Sequence, residues 1–212
     1  MSEARSAPPV LGAILAGGLG TRMGGVDKGL LRLGGEPLLQ RIARRLAPQC
    51  GGLVLNANGE PDRFADMGLP VIPDAVPGRL GPLSGLLAVL EWAATHRPEV
   101  ERIVSVSTDT PFLPEDLVAR LDAVRRRAEH SPVLATSGGR LHPTIGLWPI
   151  RLKDDLRAAL VQQHVRSMRA FAERHGYVEA EWPADPVDPF FNINTPEDLA
   201  AAGNFLLDQP HA

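Results

Sequence analysis

A glycine-rich segment with two cations directly follows the first apolar run of this chain of 212 residues. The segment begins at Leu15 and reads LAGGLGTRMGGVDK. Glycines let a backbone come close to a ligand, and consecutive bare N–H groups form a concavity that binds anions. Arg22 and Lys28 add positive charges on long side chains. We therefore expect this loop to hold the phosphates of a nucleoside triphosphate.

Two familiar phosphate-binding loops are excluded by the spacing of this segment. A P-loop ends in Gly-Lys-Ser or Gly-Lys-Thr, but Lys28 stands between Asp27 and Gly29. A dinucleotide fingerprint that began at Gly18 would need its last glycine where Met23 stands. The alternative is a flexible, glycine-rich surface loop, and two cations directly after a buried strand argue against it.

Three polar residues stand at the carboxyl ends of other short apolar runs. Asp109 follows one run and lies five residues before Pro114, too early to cap a helix there. We expect Asp109 to bind the Mg²⁺ that accompanies a triphosphate, because Mg²⁺ prefers oxygen ligands and few carboxylates. Asn56 and Asp74 end two further runs. A carboxylate such as Asp74 could accept from both N1–H and the N2 amino group of guanine, while local turn bonding is an equal alternative for both residues.

The second half of the chain holds four weaker candidates. His142 precedes an apolar run, and Arg166 could meet an anionic group. Asn192 and Asn194 flank Ile193 and so point to one side of a predicted strand. Each also has a structural explanation: a buried histidine, a solvated arginine, or amides that satisfy nearby backbone.

Alternating strand and helix patterns predict an α/β fold with a mainly parallel sheet to position these residues. Helices are expected to open at Pro37, Pro82 and Pro114, and again where Thr195 caps a helix that begins at Pro196 with Asp198 in its first turn. Ligands of such sheets bind outside the carboxyl ends of the strands, so all these strand ends should share one mouth. The predicted strands are Val10–Leu15, Leu53–Asn56, Val71–Ile72, Arg102–Ser107, Val133–Thr136, Ile145–Trp148 and Phe190–Ile193.

The composition predicts one globular domain over residues 10–207, with loose tails at 1–9 and 208–212. The formal net charge of −3 argues against a nucleic-acid partner. No apolar run is long enough to cross a bilayer, and the first residues lack the pattern of a signal peptide. A single cysteine, Cys50, cannot form an internal disulfide and fits a reducing compartment. We therefore expect a cytoplasmic protein without a membrane partner.

With these residues assembled, the sequence resembles the molybdenum cofactor guanylyltransferase family, the MobA type. The resemblance runs from about Leu15 to Leu199, although the LAGG…RMG core is shared with the wider nucleotidyltransferase superfamily. It implies a three-layer α/β/α Rossmann-like nucleotidyltransferase fold. It also implies transfer of GMP from GTP to the terminal phosphate of molybdenum-molybdopterin, giving the guanine dinucleotide cofactor and pyrophosphate. The matching segments are LAGGLGTRMGGVDKGLLRLGGEPLLQ, LVLNAN, VIPD, GPLSG, DTPF, HPTIGLW and FFNINTPEDL.

The resemblance assigns roles residue by residue. Arg22, Lys28 and Asp109 would carry catalysis, with Asp109 also holding Mg²⁺. His142, Arg166, Asn192 and Asn194 match segments associated with the pterin. The implied partners are GTP and molybdenum-molybdopterin, followed by molybdenum-insertion proteins and molybdoenzyme apoproteins or their chaperones. The positions implied to bind GTP are Leu15, Ala16, Gly17, Lys28, Asn56, Asp74 and Asp109.

Three rival functions remain open at this stage. A cytidylyltransferase could act on the same pterin, although Asp74 and the extended GGVDK segment favour guanine. A sugar-1-phosphate nucleotidyltransferase is disfavoured by the short chain and by its FFNINTPEDL ending. A carrier could bind GTP and molybdopterin without turnover, and the presence of Arg22, Lys28 and Asp109 together argues for an enzyme.

Overall fold

A computed structural model of the chain describes residues 10–16, 28–78 and 80–208. Gly17 and Arg22 lie outside these ranges, so their predicted roles stay predictions. No helix within the described ranges is both long and apolar enough to cross a membrane.

A seven-stranded sheet forms the centre of the fold, with the strand order β5-β4-β1-β6-β8-β7-β9. Its strands run parallel to one another except β8, which pairs antiparallel with both β6 and β7. A separate antiparallel ribbon pairs two very short strands, β2 and β3. The bounds are β1 (Val10–Leu15), β2 (Arg32–Leu33), β3 (Glu36–Pro37), β4 (Leu53–Asn56), β5 (Val71–Ile72), β6 (Arg102–Ser107), β7 (Val133–Ser137), β8 (Arg140–Pro149) and β9 (Val178–Trp182).

Helices cover both faces of this sheet and bury its apolar side chains in two separate cores. One core holds Leu11, Ala13 and Leu15 of β1 together with residues of α2, α4 and α5. The other holds Ile14 of the same strand together with residues of α1 and α3. This alternation along β1 is the signature of a strand buried on both faces, and it confirms the predicted three-layer α/β/α fold. The helices are α1 (Leu38–Leu46), α2 (Pro82–His96), α3 (Leu117–Arg125), α4 (Lys153–Val161), α5 (Met168–Arg174) and α6 (Pro196–Asp208).

The helix starts predicted from proline are right for two helices and shifted for two. Pro82 is the first residue of α2, and Pro196 is the first residue of α6. Pro37 is the cap before α1 rather than its first residue, because it also closes the β2–β3 ribbon. Pro114 does not begin α3: its carbonyl accepts from the Leu117 N–H at 3.3 Å, so a turn precedes the helix.

The predicted strand at Phe190–Ile193 is wrong. Its backbone is held by single contacts rather than by a neighbouring strand: the Phe190 N–H donates to the Asp188 carboxylate at 2.9 Å, and the Ile193 N–H donates to the Asp109 carbonyl at 2.8 Å. Phe190 and Ile193 are fully buried, in different clusters, so the apolar residues of this segment pack into the cores although the segment is not part of a sheet. The sequence prediction also missed β9, α4, α5 and the β2–β3 ribbon.

Candidate active site

The strand registers bring the carboxyl ends of the parallel strands to one level. Leu15 lies opposite Asn56 of β4 on one side and opposite Ser107 of β6 on the other. Asn56 in turn lies opposite Ile72 of β5. The residues that follow these strands, Asp74 and Asp109 among them, therefore share one edge of the sheet, as the sequence predicts.

Lys28, Asp109 and Asn194 meet at this edge although their segments are far apart in sequence. The Lys28 ammonium donates to Asn194 Oδ1 at 2.6 Å and lies 3.7 Å from Asp109 Oδ2. The side chains of Lys28 and Asp109 are about one-fifth exposed, at 17% and 20%, so the group is open to a ligand. The Ser107 hydroxyl donates to the other carboxylate oxygen of Asp109. We refer to Lys28, Asp109 and Asn194 as the cation cluster.

The start of α6 fixes Asn194 within the cation cluster. The N–H groups of Asn194 and Thr195 donate to Asp198 Oδ2 at 2.8 and 2.9 Å, and the Asp198 N–H donates back to the Thr195 hydroxyl at 3.1 Å. This reciprocal pairing is a capping box, as predicted for Thr195 and Asp198. The hydrogen bond from Asn194 is the main reason that the pKa of Asp198 lies below its usual value. Asn194 thus contacts Lys28, a partner that sequence reasoning did not anticipate.

Asn56 and Asp74 meet at the edge beyond β4 and β5, together with Asn58, which sequence reasoning missed. Asn56 Nδ2 donates to the Ile72 carbonyl and to Asp74 Oδ1, both at 3.1 Å. Asn58 Nδ2 donates to Asp74 Oδ2 at 2.9 Å, and the Asp74 N–H donates to Asn58 Oδ1 at 2.9 Å. A signal for Asn58 was present, because residues two apart along an extended segment point the same way. We refer to Asn56, Asn58 and Asp74 as the amide clamp.

The buried end of the amide clamp is covered by the first turn of α2. Asn56 is 1% exposed, and its Oδ1 has no hydrogen-bond partner among the described residues. A Cβ on Gly85 would lie 2.0 Å from that oxygen, so only glycine allows α2 to pass this close. Gly85 therefore sets how closely α2 packs against the amide clamp.

His142 lies at the same edge but inside the wall of the site. It is 4% exposed, and its Nε2 lies 2.8 Å from the hydroxyl of Ser137, which donates to Asp188 Oδ1 at 2.7 Å. Since that hydroxyl hydrogen is used, the ring must donate to Ser137 from Nε2. Burial lowers the pKa of His142 below its usual value. The ring also packs against Phe190 at 5.0 Å, so His142 holds the ends of β7 and β8 to the segment that leads to Asn194.

Arg166 and Asn192, the other candidates for the pterin side, are not drawn into the cation cluster by a described contact. Arg166 donates to the carbonyls of Leu160 and Val165 at 2.7 and 3.0 Å, close to the end of α4. Asn192 is half-buried beside Ile193, whose N–H bonds to Asp109. Their roles stay predictions.

A cavity of about 670 Å³ lies at the opposite edge of the sheet, where the strands begin. It is lined by the first residues of β1 and β6, Val10 and Arg102, and by parts of α3. None of the predicted site residues within the described ranges lines it. Because ligands of parallel sheets bind at the carboxyl ends, we place the candidate active site at the cation cluster and the amide clamp instead.

Known proteins are similar to this chain in both sequence and fold. Residues 12–178 match the model of the MobA-like NTP transferase domain. A molybdenum cofactor guanylyltransferase of Bradyrhizobium sp. (strain ORS 278) is 55% identical over 193 residues, covering 91% of each chain. Another, from Rhodopseudomonas palustris (strain BisB5), is 52% identical over 200 residues, covering 94% of this chain and 95% of the relative.

A solved structure resembles the fold at much lower identity. Molybdopterin-guanine dinucleotide biosynthesis protein A from Archaeoglobus fulgidus superposes with a TM-score of 0.76 at 22% identity. The match covers 94% of this chain and 100% of that one. It confirms the predicted nucleotidyltransferase fold.

Proposed function

The chain belongs to the MobA-like NTP transferase family and, within it, to the molybdenum cofactor guanylyltransferases; from this premise we propose how it works. It transfers GMP from GTP to the terminal phosphate of molybdenum-molybdopterin and releases pyrophosphate. The observation that carries the proposal is the cation cluster, in which Lys28, Asp109 and Asn194 converge at the carboxyl edge of the sheet.

Catalysis by this site consists mainly of charge neutralisation and positioning. The attacking phosphate and the triphosphate are both anions, so they must be brought together against their repulsion. Lys28 stabilises the charge that develops on the departing pyrophosphate, and Arg22 of the same glycine-rich segment would add to it. The attacking phosphate is already ionised at neutral pH, so the reaction needs no general base.

The oxygen atoms around Lys28 also fit a divalent metal ion. Asp109 Oδ2 and Asn194 Oδ1 already face one positive charge, at 3.7 and 2.6 Å from the Lys28 nitrogen. Mg²⁺ takes oxygen ligands and is commonly held by one or two carboxylates together with substrate phosphates. We assign Asp109 as the residue that would hold Mg²⁺, with the Asn194 oxygen beside it. Such an ion would supply positive charge to the phosphate oxygens.

The amide clamp supplies the contact that distinguishes guanine. The Asp74 carboxylate accepts from N1–H and from the N2 amino group of the base, a pair of donors that adenine and cytosine lack. Replacing Asp74 by alanine should therefore weaken GTP binding by about ten- to a hundredfold, the loss expected for a charge-assisted contact. Equal dissociation constants for GTP and CTP in the parent protein would contradict this assignment.

The second substrate and the cellular context complete the proposal. We assign His142, Arg166, Asn192 and Asn194 to the pterin side, on the strength of the family resemblance of their segments. The product would pass to molybdoenzyme apoproteins or their chaperones, and molybdenum-insertion proteins would supply the substrate. A cytoplasmic location is supported by the single cysteine, Cys50, and its free thiol.

The test is mass spectrometry of the product formed from GTP, Mg²⁺ and molybdenum-molybdopterin. We expect the guanine dinucleotide and pyrophosphate, and little product when CTP replaces GTP. Product formed mainly from CTP would identify a cytidylyltransferase, and equal product from both nucleotides would contradict the guanine preference. Tight GTP binding with no pyrophosphate release in the presence of the pterin would identify a carrier.

A further inference from the structure

We propose that Asn58 is a positioning residue that makes the site selective for guanine by holding the Asp74 carboxylate in the plane of the base. This inference rests on the proposed function, in which Asp74 reads the guanine edge. Asn58 itself needs no contact with the nucleotide. Its effect passes entirely through the carboxylate that it grips.

Asn58 and Asp74 form a closed pair of hydrogen bonds. The Asn58 side chain donates through Nδ2 to Asp74 Oδ2 and accepts through Oδ1 from the Asp74 N–H, both at 2.9 Å. The second bond fixes which end of the amide faces the carboxylate, so the donor direction is unambiguous. Asp74 is thereby held by its backbone and its side chain at once.

Asn56 donates a hydrogen bond to the other oxygen of the same carboxylate. Asn56 Nδ2 donates to Asp74 Oδ1 and to the Ile72 carbonyl, so both of its hydrogens are used. Its Oδ1 is buried and has no hydrogen-bond partner among the described residues. The amide of Asn56 is therefore oriented for Asp74 and Ile72 rather than for its own full hydrogen bonding.

With two amides bound to it, the Asp74 carboxylate still has the two acceptor positions that guanine requires. Each carboxylate oxygen can accept about two hydrogen bonds, and one on each is taken by Asn56 or Asn58. One acceptor position per oxygen remains, and the carboxylate plane can no longer rotate freely. Guanine presents N1–H and N2–H side by side, whereas hypoxanthine presents only N1–H. Fixing the plane of Asp74 therefore affects the N2 contact most.

The two amides differ in a way that makes Asn58 the better residue to test. Asn56 is 1% exposed within the core, whereas Asn58 is exposed beyond the end of β4. Replacing Asn58 by alanine releases one side of the carboxylate without opening a cavity. Asn204, exposed on α6, provides a matched asparagine-to-alanine control far from these contacts in sequence.

The experiment compares GTP with inosine triphosphate as substrates of the parent enzyme, N58A and N204A, with molybdenum-molybdopterin and Mg²⁺ present. We expect the parent to prefer GTP by about ten- to a hundredfold in kcat/KM, the value of one charge-assisted hydrogen bond. N58A should lose at least about fivefold of that preference through a higher KM for GTP, with kcat within about twofold. A preference within about twofold of the parent in N58A overturns the inference, as does an equal loss in N204A.

An isosteric variant and an Asp74 variant separate the failures. N58D keeps the acceptor for the Asp74 N–H but replaces the donor by a charged oxygen, so it should lose at least as much preference as N58A. Full GTP preference in N58D overturns the inference. If D74A keeps the parental preference for GTP over inosine triphosphate, the proposed guanine contact itself is wrong. If D74A loses the preference and N58A keeps it, only the role of Asn58 fails.

Discussion

Replacing Gly85 by alanine tests whether the amide clamp depends on the close approach of α2. An added Cβ would lie 2.0 Å from Asn56 Oδ1 and 2.7 Å from its Cγ, where real Cβ contacts essentially never fall below 3.0 Å. The two groups must therefore separate by about 1 Å, the difference between 3.0 and 2.0 Å. Neither can move freely, since Gly85 belongs to the buried face of α2 and Asn56 is tied to β5.

The expected loss of stability combines three contributions. Overpacking a well-filled core costs about 1–3 kcal/mol. Loosening the two hydrogen bonds of Asn56 Nδ2 costs about 1 kcal/mol each when they break. Alanine in a helix interior stabilises the folded state by about 1 kcal/mol relative to glycine, which offsets part of this loss. With both hydrogen bonds broken, we expect G85A to lose about 2–4 kcal/mol of unfolding free energy. GTP affinity should fall at least about tenfold, because a displaced Asn56 also displaces Asp74.

The measurement is urea unfolding of the purified protein together with calorimetric titration of GTP. G203A is the matched control, since Gly203 also lies in a helix, α6, but a Cβ there meets nothing within 4 Å. G203A should gain about 0.5–1 kcal/mol and bind GTP normally. A G85A protein that gains stability like G203A and binds GTP as the parent does would refute the reasoning.

Three further outcomes follow from the site. K28A should lower turnover about 10²–10³-fold, like the loss of one preorganised donor, and a rate within twofold of the parent would remove Lys28 from catalysis. D109N should raise the Mg²⁺ concentration needed for transfer and lower the maximal rate without lowering the melting temperature; an unchanged Mg²⁺ titration would place the metal elsewhere. Burial lowers the pKa of His142 in the folded protein below the value of about 6.5 that a histidine has in an unfolded chain. As the pH falls below about 6.5, the unfolded chain therefore binds a proton that the folded protein does not, and the free energy of unfolding should decrease until the pH reaches the folded pKa. Urea unfolding at about pH 7.5 and 5.5 measures this decrease, which should be smaller in H142Q than in the parent. An equal decrease in both proteins would show that other groups cause it.

The local chemistry of the chain predicts the half of the sheet that carries the candidate active site. β1, β4, β5 and β6 are short apolar runs that end in polar or small residues, so both their existence and their carboxyl ends are readable. The capping box of α6 is likewise legible, because Thr195 and Asp198 satisfy each other within four residues. These features depend on neighbours in sequence.

The parts that could not be predicted depend on partners distant in sequence. Asn194 was placed with the pterin, yet its contact with Lys28 spans 166 positions. Phe190–Ile193 has a strand-like composition, but its hydrogen bonds go to Asp188 and Asp109 rather than to a strand. β9 is an edge strand in which Glu179 and Glu181 alternate with apolar residues; no continuous apolar run marks it, although this alternation is itself typical of a half-buried strand.

In the proposed site, where Asp109 holds a cation and Lys28 the phosphates, the contact between these two residues would make the binding of cation and nucleotide cooperative. An arriving triphosphate competes with the Asp109 carboxylate for the Lys28 ammonium, which now lies 3.7 Å from it. A cation that takes up the charge of Asp109 removes this competitor and leaves Lys28 to the phosphates. By linkage, each ligand then raises the affinity of the other by the same factor. Affinities for GTP measured in excess chelator and in excess Mg²⁺ therefore report two different states of Lys28.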